Sequence, residues 1–545
     1  MTAEQLALPQ IDTYLQEPSL YKLAHDKRVW VNRSLRMDQI EWVGFDMDYT
    51  LAIYNQTEID KLSVAATVKK LVARGYPPEL ADVNYAYDFP VRGLLIDKRF
   101  GHLLKMDRYK FVGKGYHGMR ELTHDERRNL YHARKVRPVA PRYHWIDTLY
   151  ALPEAALYAG AVDLLDRLGT AVDYSQLFQD IRECIDEAHR DGAIVDVIQH
   201  DLPRFVMRDL DLAATLHKLR SAGKRLFLLT NSRWGYTESM MKYLLEGMMT
   251  EYPSWRNFFD VTVVAASKPA FFQERRPFME RIGEVSQPAT RLERGHIYEG
   301  GNLRDFERLI HSGGDAVLYV GDHIYGDILR SKKESAWRTA MIVQEMVGES
   351  VASEGTRGDL AQLDSNARQR DRLEDELRFC QARLKAIVRA LEERGIRAAP
   401  SSRDAAGVLT LPRVGAVPGA SVDAATAPLS ATDEEPRSLL PVPLQVPDNI
   451  HDLEAERVRE KRGIERIRGA LRELDDASRK LQRQADRTFH PYWGSIFKQG
   501  VELSSFGDQV ETYACLYTAR VSNFLLYSPL HYFHSPRDYM PHELP

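Results

Sequence analysis

The chain has 545 residues, too many for one ordinary core and enough for two to four modules. Its 44% hydrophobic and 28% charged residues are an ordinary globular balance, and 74 basic against 78 acidic side chains leave a formal charge of −4, which excludes a general nucleic-acid binder. Cys184, Cys380 and Cys515 form no CxxC pair, the start "MTAEQLALPQIDTY" has no secretory-signal pattern and no run approaches 18 apolar residues, so a cytoplasmic protein with no disulfide framework, zinc site or membrane span is expected.

The first strong element is "IEWVGF" (residues 40–45), an apolar strand candidate that runs into "DMDYT". Asp46 and Asp48 lie one residue apart, and carboxylates that close repel unless a cation sits between them. The alternative is a polar strand end followed by a helix N-cap. Some 180 residues then separate this strand from the next, "RLFLLT" (225–230), far more than any strand-to-strand crossover needs. Residues 61–210 are therefore expected to be mostly an inserted, largely helical cap, with 1–60 and 211–355 forming the core.

After "RLFLLT" come Thr230, Asn231 and Ser232, small polar residues able to bond a phosphate beside backbone N–H groups, or simply to cap a helix. A third strand candidate, "VTVVAAS" (261–267), leads into Lys268, either a surface lysine or a phosphate anchor. A fourth, "AVLYVGD" (316–322), ends in Asp322 with Asp327 close behind. Strand candidates alternating with helical stretches predict an open α/β sheet, and such sheets bind ligands at the carboxyl ends of their strands. Four acids converging there would be costly without a divalent cation.

Beyond residue 355 the pattern changes. Leu373, Leu377, Cys380, Leu384, Ile387 and Leu391 follow heptad spacing, as do Ile464, Ile467, Leu471, Leu474, Ser478, Leu481 and Ala485. Residues 356–396 and 451–487 are thus expected to be two long helices able to pair as a hairpin. Residues 397–450 between them hold eight prolines among Ala, Ser, Gly and Val, the composition of a disordered linker. The aromatic-rich segment 488–545 is expected to pack back on the core.

Taken jointly and in order, Asp-x-Asp, Thr/Ser, Lys and an acidic pair, each after a strand, resemble the four motifs of the haloacid dehalogenase superfamily of phosphohydrolases. The resemblance implies a Rossmann-like doubly wound parallel sheet, with the mainly helical cap inserted between the first and second motifs and the heptad-patterned helices as an extension. It also implies Mg²⁺ as cofactor. Phosphoryl transfer needs an in-line nucleophile, charge neutralisation and a proton donor. Asp46 would be the nucleophile forming an aspartyl-phosphate, and Asp48 the acid and then the base. Asp46, the Asp48 backbone carbonyl and Asp322 would take the metal. Thr230, Asn231, Ser232 and Lys268 would hold phosphate, with Asp327 supporting Lys268 or a metal-bound water.

The segments "GFDMDYTLAIYN", "LLIDKRFGHLLKMDRY", "LFQDIRECIDEAH", "LTNS", "SKPAFF", "IYEGGN", "GDHIYGDILRSKK" and "MPHE" further resemble the cytosolic purine 5′-nucleotidase family, over about residues 20–350 and 488–543. That resemblance implies hydrolysis of purine nucleoside monophosphates of the IMP/GMP type and transfer of the phosphate to other nucleosides; a homo-oligomer, stabilised by the heptad-patterned helices, is also expected. Arg182, Asp186 and His189, spaced i, i+4, i+7 on one helix face, match its nucleoside-contacting positions. On spacing alone they read as a solvated face with an Arg–Asp pair. Tyr150 matches an aromatic that stacks on the base. Four positions depart from or bear on the family pattern: Ala151 and Val195 replace polar base contacts, while Tyr325 matches and Asp147 replaces residues of a purine-nucleotide activator site. Two other readings stay open, a phosphatase of another metabolite and an interaction protein with a vestigial catalytic domain.

Overall fold

A computed structural model describes residues 23–132, 136–169, 172–283, 285–329, 335–395, 446–537, 540 and 543. Residues 397–445 of the expected linker, and the Tyr325 side chain, lie outside the described residues. The chain divides into two compact units, Met1–Arg357 with Ala485–Pro545, and Gly358–Gln484.

The first unit is built on a ten-stranded sheet. Its centre places Val317–Gly321, Trp42–Phe45, Arg225–Leu229 and Val261–Val264 side by side and parallel, so the four strands foreseen from sequence are immediate neighbours. Arg338–Ile342 and Leu516–Thr518 continue the parallel set on one side and Ile297–Gly300 on the other. Antiparallel Trp30–Val31 closes one edge, and the Phe278–Ile282 and Val285–Pro288 hairpin closes the other.

Strand side chains alternate between two apolar layers, the reason these strands read as unbroken apolar runs. Val43, Phe45, Leu226, Leu228, Leu318 and Val320 enter one layer. Trp42, Phe227, Leu229, Val261, Val263, Val317 and Tyr319 enter the other. Gly44 is needed on the second face: a Cβ there would lie 2.0 Å from the Phe227 ring. The doubly wound α/β expectation holds.

The segment inserted after the first strand contains three main helices, Gln56–Ala73, Leu152–Arg167 and Tyr174–Arg190. The last is capped by Asp173, whose carboxylate accepts from the Ser175 and Gln176 backbone N–H groups. It buries Leu177, Phe178, Ile181, Cys184, Ile185 and Ala188. That leaves Arg182, Asp186 and His189 together on its other face. Besides these helices the insertion carries a five-stranded antiparallel sheet, ordered Arg120–Glu121, Val112–His117, His102–Met106, Leu94–Asp97, Tyr143–Ile146. Nothing in the local sequence pattern predicts this sheet. Its central strands are buried on both faces with Asp97, His102 and Lys105 embedded in them, so no apolar–polar alternation marks them.

The aromatic C-terminal segment supplies Leu516–Thr518 to the main sheet and a buried Trp493, whose indole N–H donates to the Phe89 carbonyl at 2.6 Å. In the second unit the helices Arg357–Glu393 and Ile450–Phe489 run antiparallel, tied by Arg383 to Glu456 at 2.9 Å and Asn366 to Ser478 at 3.0 Å. Ile387, Ala390, Leu391 and Leu453 form an apolar cluster between them. Asn366 answers the one hydroxyl in the second seam.

Candidate active site

Asp46 leaves its strand with its backbone N–H still on the Val320 carbonyl, 2.9 Å away, so sheet pairing delivers its side chain beside the end of the Val317–Gly321 strand. There one oxygen each of Asp46, Asp322 and Asp327 lie within 4.8 Å of one another, all three residues buried. Lys268 Nζ, itself buried, stands 2.9 Å from Asp46 Oδ1 and 2.7 Å from Asp327 Oδ1, and donates to the Tyr319 hydroxyl at 2.9 Å. Asn231 fixes the Lys268 backbone from both sides, its amide donating to the Lys268 carbonyl at 3.0 Å and its carbonyl accepting from the Lys268 N–H at 2.5 Å.

Among the described residues one ammonium faces three carboxylates. Burial pushes Asp46 well above the usual carboxylate range; Lys268 opposes this, while Asp327, Asp322 and Asp48 add to it. Burial likewise lifts Asp322 to about 7, with Asp327 repelling and Arg92 opposing. A surplus of buried, mutually repelling oxygen ligands is the chemistry a hard divalent cation satisfies.

The Asp48 carboxylate is held apart from that cluster. Ser232 Oγ donates to its Oδ2 at 2.6 Å and Tyr54 to its Oδ1 at 2.5 Å, and Tyr54 is 2.8 Å from the Tyr236 hydroxyl. Tyr54 is placed by a two-stranded pairing of Ile53–Tyr54 with Val206–Met207. Burial raises Asp48 above its ordinary value, against the Ser232 and Tyr54 hydrogen bonds.

These groups line a cavity of about 110 Å³, bounded by Asp46, Asp48, Asn231, Lys268, Asp322 and Asp327 together with Thr148, Tyr150 and His323. A larger cavity of about 1310 Å³ shares Thr148, Tyr150, Asn231 and His323 with it. Tyr150, Arg182, Asp186 and His189 all line this second space, as do Ala151, Val195 and Asp147. Thr230 lines neither: it is fully buried, and its hydroxyl accepts from the Ser232 N–H at 3.1 Å. The Arg182–Asp186 pair that the spacing suggested is not the one formed. Among the described residues Arg182 pairs with Glu154 of the neighbouring helix, 3.1 Å away. Asp147 Oδ2 stands 3.5 Å from His323 Nε2.

The sequence matches the model of the 5′ nucleotidase family over residues 29–545. The chain belongs to the 5′ nucleotidase family. It is 31% identical to the 5′-nucleotidase domain-containing protein 2 of Rattus norvegicus over 347 residues, 61% of this chain and 62% of that protein. The Homo sapiens protein of the same name is 31% identical over 351 residues, 61% of this chain and 66% of its own length. The chain thus spans under two thirds of the curated relatives it matches. A solved 2-haloacid dehalogenase from Pseudomonas syringae aligns with 56% of this chain and 86% of its own at 14% identity, with a TM-score of 0.21. The resemblance to a 5′-nucleotidase family holds.

Several side chains of this site carry no motif in sequence. Arg92 is fully buried, donates from Nη1 to the Asp322 carbonyl at 3.0 Å, grips Glu345 with Nε at 2.7 Å and Nη2 at 2.5 Å, and lies 5.1 Å from the Phe506 ring centroid. An arginine inside the apolar run "FPVRGLLI" was the available signal. Tyr319 was hidden as one more apolar strand residue, and Tyr54 and Tyr236 need the fold to bring them together.

Proposed function

We propose that this protein is a Mg²⁺-dependent 5′-nucleotidase that hydrolyses purine nucleoside monophosphates of the IMP/GMP type. The observation that carries this is a pair of adjoining cavities that share Tyr150 and Asn231 in their walls: a small, buried, acid-and-lysine chamber beside a space large enough for a nucleoside.

Asp46, Asp322 and the Asp48 carbonyl would hold the ion; bound there, it supplies positive charge that neutralises the phosphoryl oxygens. Lys268, fixed by Asp327 and Asn231, pairs with the same oxygens. Asp46 attacks phosphorus, forming an acyl–phosphate bond as the bond to the ribose O5′ breaks. Asp48 gives that leaving oxygen its proton. It then takes a proton from water, whose oxygen attacks phosphorus and releases phosphate with Asp46 regenerated. Tyr54 and Ser232 hold the Asp48 carboxylate between them for both transfers. In the larger cavity Tyr150 supports stacking on the base, while Arg182 offers donors and Asp186 an acceptor. Passing the phosphate to a second nucleoside instead of water follows from the same intermediate.

Ala151 and Val195 favour a second reading, a phosphatase of another metabolite, because they present apolar walls in the same cavity. A phosphate-release screen over nucleoside monophosphates and sugar phosphates with Mg²⁺ separates the two. IMP and GMP are expected to lead, and Asp46→Asn to abolish release. A sugar phosphate as best substrate would overturn the nucleotide reading, and undiminished turnover by Asp46→Asn would overturn the mechanism.

A further inference from the structure

Glu154 stands in the first turn of Leu152–Arg167, facing the helix that carries Arg182. It is 2% exposed yet lines the large cavity. Its two oxygens have different fates. Oε2 accepts from Arg182 Nη1 at 3.1 Å, whereas Oε1 is buried with no hydrogen-bond partner among the described residues. A buried carboxylate oxygen without a donor is costly, and such a group on a cavity wall is explained by a ligand that donates to it. Arg182 is 37% exposed at its side chain and stands 3.5 Å from His144 Nε2. The pair therefore sets an unpartnered acceptor beside donors in the wall of the cavity.

We infer that Glu154 is a specificity-determining residue, its free oxygen accepting the N1–H of a 6-oxopurine while Arg182 donates to O6. The inference rests on the nucleotidase reading and moves the acceptor in register with Arg182 from Asp186 to Glu154. A 6-oxopurine presents an N–H beside a carbonyl along that edge; adenine presents a bare nitrogen beside an amine. Adenine thus sets acceptor against acceptor and donor against donor, the arrangement that discriminates most strongly in a buried site. Burial lifts Glu154 to about 7, with Arg182 opposing and Asp186 and Asp147 adding to the rise. A donated N–H would favour the charged, accepting form.

The test is Glu154→Gln, measured as kcat/KM for IMP, AMP and p-nitrophenyl phosphate. With its amide oxygen on Arg182, the variant turns an N–H₂ donor into the cavity, mismatched to N1–H and matched to the N1 of adenine. The IMP/AMP ratio is expected to fall at least tenfold, chiefly through KM for IMP. p-Nitrophenyl phosphate turnover should stay within twofold, since the phosphate chamber is built from other residues. Glu154→Asp keeps the charge but withdraws the oxygens, and should raise KM for IMP about tenfold with kcat within threefold. An IMP/AMP ratio unchanged in both variants would overturn the inference and leave the nucleotidase reading standing. So would equal losses on all three substrates, the mark of a merely structural ion pair. Wild-type protein that hydrolyses p-nitrophenyl phosphate but no nucleoside monophosphate would overturn both.

Discussion

Replacing Lys268 by Met keeps most of the side-chain volume and removes an ammonium placed among three buried carboxylates. Lys268 Nζ lies 2.9 Å from Asp46 and 2.7 Å from Asp327, and the lysine and Asp327 side chains are 3% and 1% exposed, so solvent screens little of either interaction. Removing one partner of a buried ion pair costs about 3–5 kcal/mol. Unfolding entropy of about 2.1 cal/mol/K per residue, over a first unit of roughly 400 residues, is about 0.8 kcal/mol/K. The variant should therefore melt about 4–6 °C lower in EDTA, read by differential scanning calorimetry. A divalent cation neutralises the same oxygens, so excess Mg²⁺ should raise the melting temperature of the variant more than that of the wild type. Phosphatase turnover should fall about 10²–10³-fold in either buffer, because the lysine also meets the transferring phosphoryl group. A melting temperature within 1 °C of wild type in EDTA, or an identical Mg²⁺ response in both proteins, would refute the reasoning.

Gly44→Ala should cost at least about 1–3 kcal/mol in urea unfolding, because the added methyl meets a Phe227 ring hemmed in by Phe306 and Trp337 at 4.8 and 5.8 Å. Burial depresses His102 to about 4, with His117 adding to it, so between pH 6.5 and 4 the unfolded chain binds the extra proton and stability falls with pH. At about 1.36 kcal/mol per unit the loss reaches about 3 kcal/mol. Urea unfolding at pH 7.5 and 5 should show His102→Asn losing less across that range than wild type. Arg92→Met frees the Asp322 carbonyl and strands Glu345, so the Mg²⁺ concentration for half-maximal thermal stabilisation and activity should rise about tenfold, with kcat at saturating Mg²⁺ reduced less.

By itself the sequence determined the four central strands of the main sheet and the acids that follow them. Strands buried on both faces must be continuous apolar runs, and a residue that follows such a run has its place set by sheet pairing, which is why Asp46, Lys268 and Asp322 could be read before they were seen. The helical spacing of Arg182, Asp186 and His189 was legible for a similar local reason, since 3.6 residues per turn puts them on one face. Which partner each of them met was not. Arg182 turned to Glu154, 28 positions away along the chain, rather than to its helical neighbour, and only the packing of two helices decides that. The cap sheet was hidden because its strands pair with each other, and Leu94–Asp97 and His102–Met106 bury both faces with polar residues among them. Arg92 reaches Asp322 across 230 positions and Glu345 across 253, and Tyr54 reaches Tyr236 across 182. Local propensity carries no record of such contacts: what a buried charge or hydroxyl bonds to is a property of the folded surroundings, settled only when distant segments have been brought together.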